Sequence, residues 1–252
     1  MATITVSAAR GRRRLALFAA ALLTGTGAAS LALATPAQAA VCTVNGVPQT
    51  DVNGTVNGTS GNDTITCVFL SAGETINGLA GNDEIRVLQS YGGTVEGGDG
   101  DDTVTVGSPP LPGWTGVVRG GPGNDYLYSA YGLDGFTPLG PARLEGGDGD
   151  DIITTPEAIR GGKVLGGGGD DTVNVDEIQD RASDVSGGEG SDTVRVLRLS
   201  AGTVHGDAGD DLVEGISPGA AVTVRDGGFV HGGAGTDTCR TSPTRANDCE
   251  NH

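Results

Sequence analysis

The sequence predicts an all-β fold in which a parallel β-roll, a β-helix-like solenoid of about nine coils, occupies most of the chain. Three observations predict it. A glycine-aspartate segment recurs nine times, aliphatic residues hold fixed places on both sides of it with the period-2 alternation of half-buried strands, and no helical period or cap appears beyond the N-terminal apolar stretch.

In chain order, residues 1–39 read as an export signal. Arg10, Arg12, Arg13 and Arg14 precede the Ala/Leu-rich stretch Leu15–Leu33, and Ala37-Gln38-Ala39 is a small-x-small cleavage site. The run Arg12-Arg13-Arg14-Leu15-Ala16-Leu17 also fits a loose twin-arginine pattern, so Sec and Tat export both remain open. No second stretch reaches the roughly 18 apolar residues of a membrane span, so a secreted product, extracellular or cell-wall associated, is expected. Residues 40–55 then form an N-terminal cap, 56–240 the roll and 241–252 a C-terminal cap.

The formal charge is −17, and loss of the four leader arginines makes it −21. That charge repels nucleic acid and anionic membrane, and makes compaction costly unless cations are supplied.

The nine segments end at Asp63, Asp83, Asp102, Asp125, Asp151, Asp171, Asp192, Asp211 and Asp237, spaced by 19 to 26 residues. Six read Gly-Gly-x-Gly-x-Asp; those ending at Asp63, Asp83 and Asp211 lack the second glycine. Seven places before each aspartate stand Val56, Ile76, Val95, Val118, Leu144, Val164, Val185, Val204 and Val230. Two places after stand Ile65, Ile85, Val104, Leu127, Ile153, Val173, Val194, Val213 and Cys239, with a further apolar residue at Val87, Val106, Val175 and Val196. Each unit is therefore strand, glycine-rich turn, strand, followed by a variable return that absorbs spare length.

Glycine tolerates positive φ, so such a turn can curl until successive carbonyl oxygens point to one side. Calcium is a hard cation that takes six to eight oxygens, and carbonyls with one carboxylate supply half a shell. Coils stacked at about 4.8 Å bring the next turn within reach to supply the rest, so nine turns leave about eight inter-turn sites. Here the sequence resembles the hemolysin-type, or RTX, calcium-binding repeat, Gly-Gly-x-Gly-x-Asp-x-U-x with U a large apolar residue. The resemblance covers roughly Val56 to Cys239 and implies calcium bound between neighbouring turns of a β-roll. It assigns the nine aspartates as ligands, with Asn62, Asn82, Asp101, Asn124, Asp150, Asp170 and Asp210 as turn residues. Lacking tandem nonapeptides, this chain is expected to carry calcium on one edge, with weaker sites at Ser191-Asp192 and Thr236-Asp237. A row of carboxylates about 5 Å apart repels itself, so folding coupled to calcium is expected. The competing reading is a metal-free solenoid whose turns merely use turn-forming residues.

Four cysteines in an exported chain favour disulfides. Cys42 with Cys67 and Cys239 with Cys249 is the expected pairing, since the pairs lie at opposite ends of a nine-coil object. No catalytic site is expected. Gly215-Ile216-Ser217-Pro218-Gly219 matches a hydrolase elbow only formally, without its strand-turn-helix context, and reads as a return loop. His205 and His231 read as solvent-facing repeat positions. A rival reading is an adhesion or glycan- or protein-binding module. It rests on Trp114, Tyr126, Tyr128, Tyr131 and Phe136 in the expanded returns of the 107–142 stretch.

Overall fold

The computed structural model describes residues 41–49, 53–107, 116–130, 132–133, 142–243 and 246–251. They belong to a compact unit of residues 37–252; a separate unit, residues 1–36, lies outside the described residues. The described residues are all-β, without a helix.

Two parallel ladders form the solenoid. In one, the aliphatic residues that precede the turns pair rung on rung, from Val56 with Ile76 to Val204 with Val230. In the other, those that follow the turns pair from Ile65 with Ile85 to Val213 with Cys239. All eighteen are buried, none more than 3% exposed. The register is fixed because a slip of one residue would turn every aliphatic side chain outward. The nine turns bound about eight complete coils, and a partial coil follows the last turn.

The return stretches add a third buried column, including Leu70, Ile159, Ile178 and Leu199. Register shifts fall there, between Thr155 and Ala158 and between Leu199 and Ala201, so spare length is absorbed away from the turns.

Both ends are closed, by different means. At the start, Cys42–Val44 and Val47–Gln49 form a hairpin through Asn45-Gly46, whose φ values of 53° and 75° suit an Asn-Gly turn. Its first strand pairs antiparallel with Thr64–Leu70, setting Cys42 opposite Cys67. This reversed direction is absent from the sequence expectation. It follows from length, since a hairpin needs a two-residue turn and a parallel partner a full crossover. At the finish, Thr241–Ser242 and Ala246–Asn247 add in parallel to Val222–Ala234. The disulfides Cys42–Cys67 and Cys239–Cys249 pin both arrangements, as the spacing predicts.

Candidate cation sites along one edge

All nine aspartates stack along one edge with their side chains turned inward, none more than 3% exposed. Each carboxylate from Asp83 onward is held from the coil before it. The backbone N–H of Asp63 donates to Oδ1 of Asp83 at 2.8 Å, that of Asp83 to Asp102 at 2.7 Å, and so on to Asp211, which donates to Asp237 at 3.0 Å. One oxygen of every carboxylate is thus spent on the solenoid itself.

The other oxygen separates the first turn from the rest. Oδ2 is buried without a hydrogen-bond donor in Asp83, Asp102, Asp125, Asp151, Asp171, Asp192, Asp211 and Asp237. In Asp63 it accepts both the N–H of Thr59 (2.5 Å) and the Thr59 hydroxyl (2.9 Å). The cause is the residue four places before each aspartate. In the eight open turns it has positive φ, at six glycines and also at Leu79 (85°) and Asp207 (81°). Thr59 does not, and its N–H reaches the carboxylate.

Glycine begins every turn because nothing larger fits. A Cβ at Gly58 would lie 2.5 Å from the carbonyl oxygen of Gly78 and 2.7 Å from Oδ2 of Asp63. The same pair, the turn's own Oδ2 and the next coil's glycine carbonyl, faces Gly78, Gly97, Gly120, Gly146, Gly166 and Gly206. Two acceptors thus converge with no donor between them at the turns of Asp83, Asp102, Asp125, Asp151, Asp171 and Asp211. A buried carboxylate oxygen without a donor is costly unless a cation or a proton satisfies it. A hard divalent cation fits this oxygen-only set. Among the described residues no three His, Cys, Asp or Glu side chains converge as a metal site, so a bound cation would depend on backbone carbonyls beside one carboxylate per turn.

Proton affinity reflects the missing donors. Burial, with a smaller push from neighbouring aspartates, raises Asp125 to about 8, Asp171 and Asp192 to about 7, and Asp102, Asp151 and Asp211 to about 6. Burial raises Asp83 too. At Asp63 burial pushes the same way, but hydrogen bonds from Thr59 and Asn45 outweigh it and hold the carboxyl below the usual value.

The predicted turn residues form a second ladder that runs the other way. Oδ1 of Asn62, Asn82, Asp101, Asn124, Asp150, Asp170 and Asp210 accepts the backbone N–H of the following coil, at 2.7 to 3.2 Å. These exposed side chains stitch coils together and do not turn toward the buried oxygens. Ser191 and Thr236 receive this support without passing it on in the same way, yet Asp192 and Asp237 carry the same unpaired Oδ2 as their neighbours.

Three residues that lie off the repeat, unremarked in the sequence reading, finish the edge. Asn45 Nδ2 donates to Asp63 Oδ1 at 2.5 Å, as a preceding coil would. Glu250 Oε2 accepts the N–H of Asp237 at 2.7 Å, as a following coil would. The carbonyl of Asp248 faces Gly232 beside Asp237 Oδ2, where the other turns present the next glycine carbonyl.

Tyr126 is exposed and Tyr128 half-buried on the outward side of Tyr126–Ser129, while Trp114, Tyr131 and Phe136 lie outside the described residues. His205 and His231 are half-buried on the outer face, their rings stacked 5.1 Å apart. Ser217 is exposed in a bend between strands, with no helix following.

A family model described as the RTX calcium-binding nonapeptide repeat (4 copies) matches residues 50–66, 71–86, 92–108, 117–134 and 142–155. No curated protein and no solved structure matches the chain.

Proposed function

From the premise that this chain carries RTX calcium-binding repeats, we propose that it is an exported, non-catalytic β-roll whose folding is coupled to calcium. The observation that carries the reading is the row of eight buried, donorless Oδ2 atoms from Asp83 to Asp237. The ligands would be these carboxylates with, at the turns of Asp83, Asp102, Asp125, Asp151, Asp171 and Asp211, the glycine carbonyl of the adjoining coil. Asp63, already hydrogen-bonded, caps the row. Bound calcium supplies positive charge to oxygens that the fold brings together and cannot otherwise pair. The chain's own part is to curl each turn, exclude water and hold each carboxylate by its other oxygen.

Coupled folding follows from electrostatics. Without the ion, the row must either take up protons or bury unpaired charge, and both oppose the fold at neutral pH. Affinity per site falls in the extracellular range, about 10⁻⁴ to 10⁻³ M. Residues 1–39 serve as the export signal, 40–55 and 241–252 as disulfide-clipped caps, and the product works outside the cell, where disulfides and millimolar-range sites are both at home.

Far-UV circular dichroism of the mature chain, disulfides intact, tests this when calcium is titrated against a magnesium control. A cooperative rise in β signal with calcium alone is expected. A fold indifferent to calcium would reduce the turns to structural devices.

A further inference from the structure

The C-terminal tail repeats the geometry of a turn without its sequence. In each of the first eight turns the aspartate N–H donates to a carboxylate of the following coil. The ninth has no following motif, yet Asp237 N–H donates to Glu250 Oε2 at 2.7 Å. The first glycine of the ninth turn, Gly232, faces its own aspartate's Oδ2 and the carbonyl of Asp248, as Gly78 faces Asp83 Oδ2 and the carbonyl of Gly97. Asp248 carries a φ of 56°, in the left-handed region that helps turn its backbone to this side.

Asp237 Oδ2 is fully buried and has no donor. If the tail were only a plug, a donor aimed at this oxygen would be the stabilising choice, and that is what Thr59 provides at the opposite end. The tail instead brings a carbonyl oxygen and a carboxylate. Both are acceptors, and they add negative charge beside a carboxylate that already lacks a partner. That arrangement suits a hard divalent cation.

We propose that Asp248 to Glu250 act as a tenth turn and close, with Gly232–Asp237, a further site for a calcium-class divalent cation. The Cys239–Cys249 disulfide ties this turn to the last coil and holds it in register. The proposal rests on the reading of the repeats as calcium sites.

The test counts bound calcium per mature chain by equilibrium dialysis with calcium chloride, in the wild type and in Asp125→Asn, Asp237→Asn and Glu250→Gln. Each amide keeps an oxygen that can accept the ladder's N–H while losing the charge, and an unchanged β signal certifies the fold. All three variants are expected to bind one ion fewer than the wild type. If Asp125→Asn loses an ion while Asp237→Asn and Glu250→Gln keep the wild-type count, the tail is a hydrogen-bonded plug and the proposal falls, with the repeat reading intact. If no variant loses an ion, both readings fall.

Discussion

The first and last turns of the solenoid solve one problem in opposite ways. Each has a buried aspartate and lacks a motif on its outer side. At the first turn the gap is filled with donors, from Asn45 Nδ2 and from the N–H and hydroxyl of Thr59, and the Asp63 carboxyl is held below its usual value. At the last turn it is filled with acceptors, from Glu250 and Asp248, and Asp237 Oδ2 stays unpaired. One end is closed by hydrogen bonds and needs no ion. The other, like the seven turns between, is left for a cation.

The contrast is sharpest for paired substitutions. Asp125→Asn should lose about 2.7 kcal/mol of stability when free calcium stands at 100 times the dissociation constant, through loss of one bound ion. In chelator the same change should be neutral or stabilising, since it removes a carboxyl raised to about 8 by burial. Asp63→Asn should cost the same in calcium and in chelator, because the bonds it breaks come from protein donors. Thermal melts of both variants in both conditions check this, and a calcium-dependent cost at Asp63 would erase the distinction between the ends.

The pH dependence comes next. Unfolded aspartates release their protons near 3.8, whereas the folded ones titrate at about 6 to about 8. Over that window the folded chain holds more protons than the unfolded one, so raising the pH weakens the metal-free fold. Denaturant midpoints in chelator should fall from pH 5 to pH 8, and calcium should remove most of the difference. Asp63 has the opposite sign. Its contribution is present above its unfolded value and is lost in acid as the pH falls through its lowered folded value.

Two smaller effects probe the residue four places before the aspartate. Leu79, exposed and at a φ of 85°, holds a backbone conformation that glycine adopts more cheaply, so Leu79→Gly should stabilise the protein by about 1 kcal/mol. A lower melting temperature would mean that its side chain makes up for the strain. Thr59→Gly should free Asp63 Oδ2 and add one ion to the calcium count, with little change in stability in chelator, and an unchanged count would show that the N–H at position 59 closes that turn whatever its side chain.

The repeat made most of the fold legible. Period-2 aliphatic columns set the strands, constant glycine-aspartate spacing set the stacked edge, and cysteines at both ends allowed one pairing. What stayed hidden lies off the period. Asn45, Asp248 and Glu250 belong to no motif, and their roles come from where the tails fold back. The exception at Thr59 was visible as a missing second glycine, but Leu79 and Asp207 show the same gap and still adopt positive φ. Branching at the β-carbon separates the cases, because Thr resists the left-handed region more than Leu or Asp does. The direction of the two side-chain ladders depends on contacts between coils, which a one-dimensional pattern does not encode.

The rule that each aspartate from Asp83 onward accepts from the coil before it also bears on how such a gene can change. Excising the 19 residues from Glu84 to Asp102 would bring the N–H of Asp83 opposite the carboxylate of Asp125, and no donor or acceptor would be orphaned. Removing half that length would strand one of each. Recombination can therefore shorten or lengthen the molecule in whole coils while both tails keep their sequences and their partners.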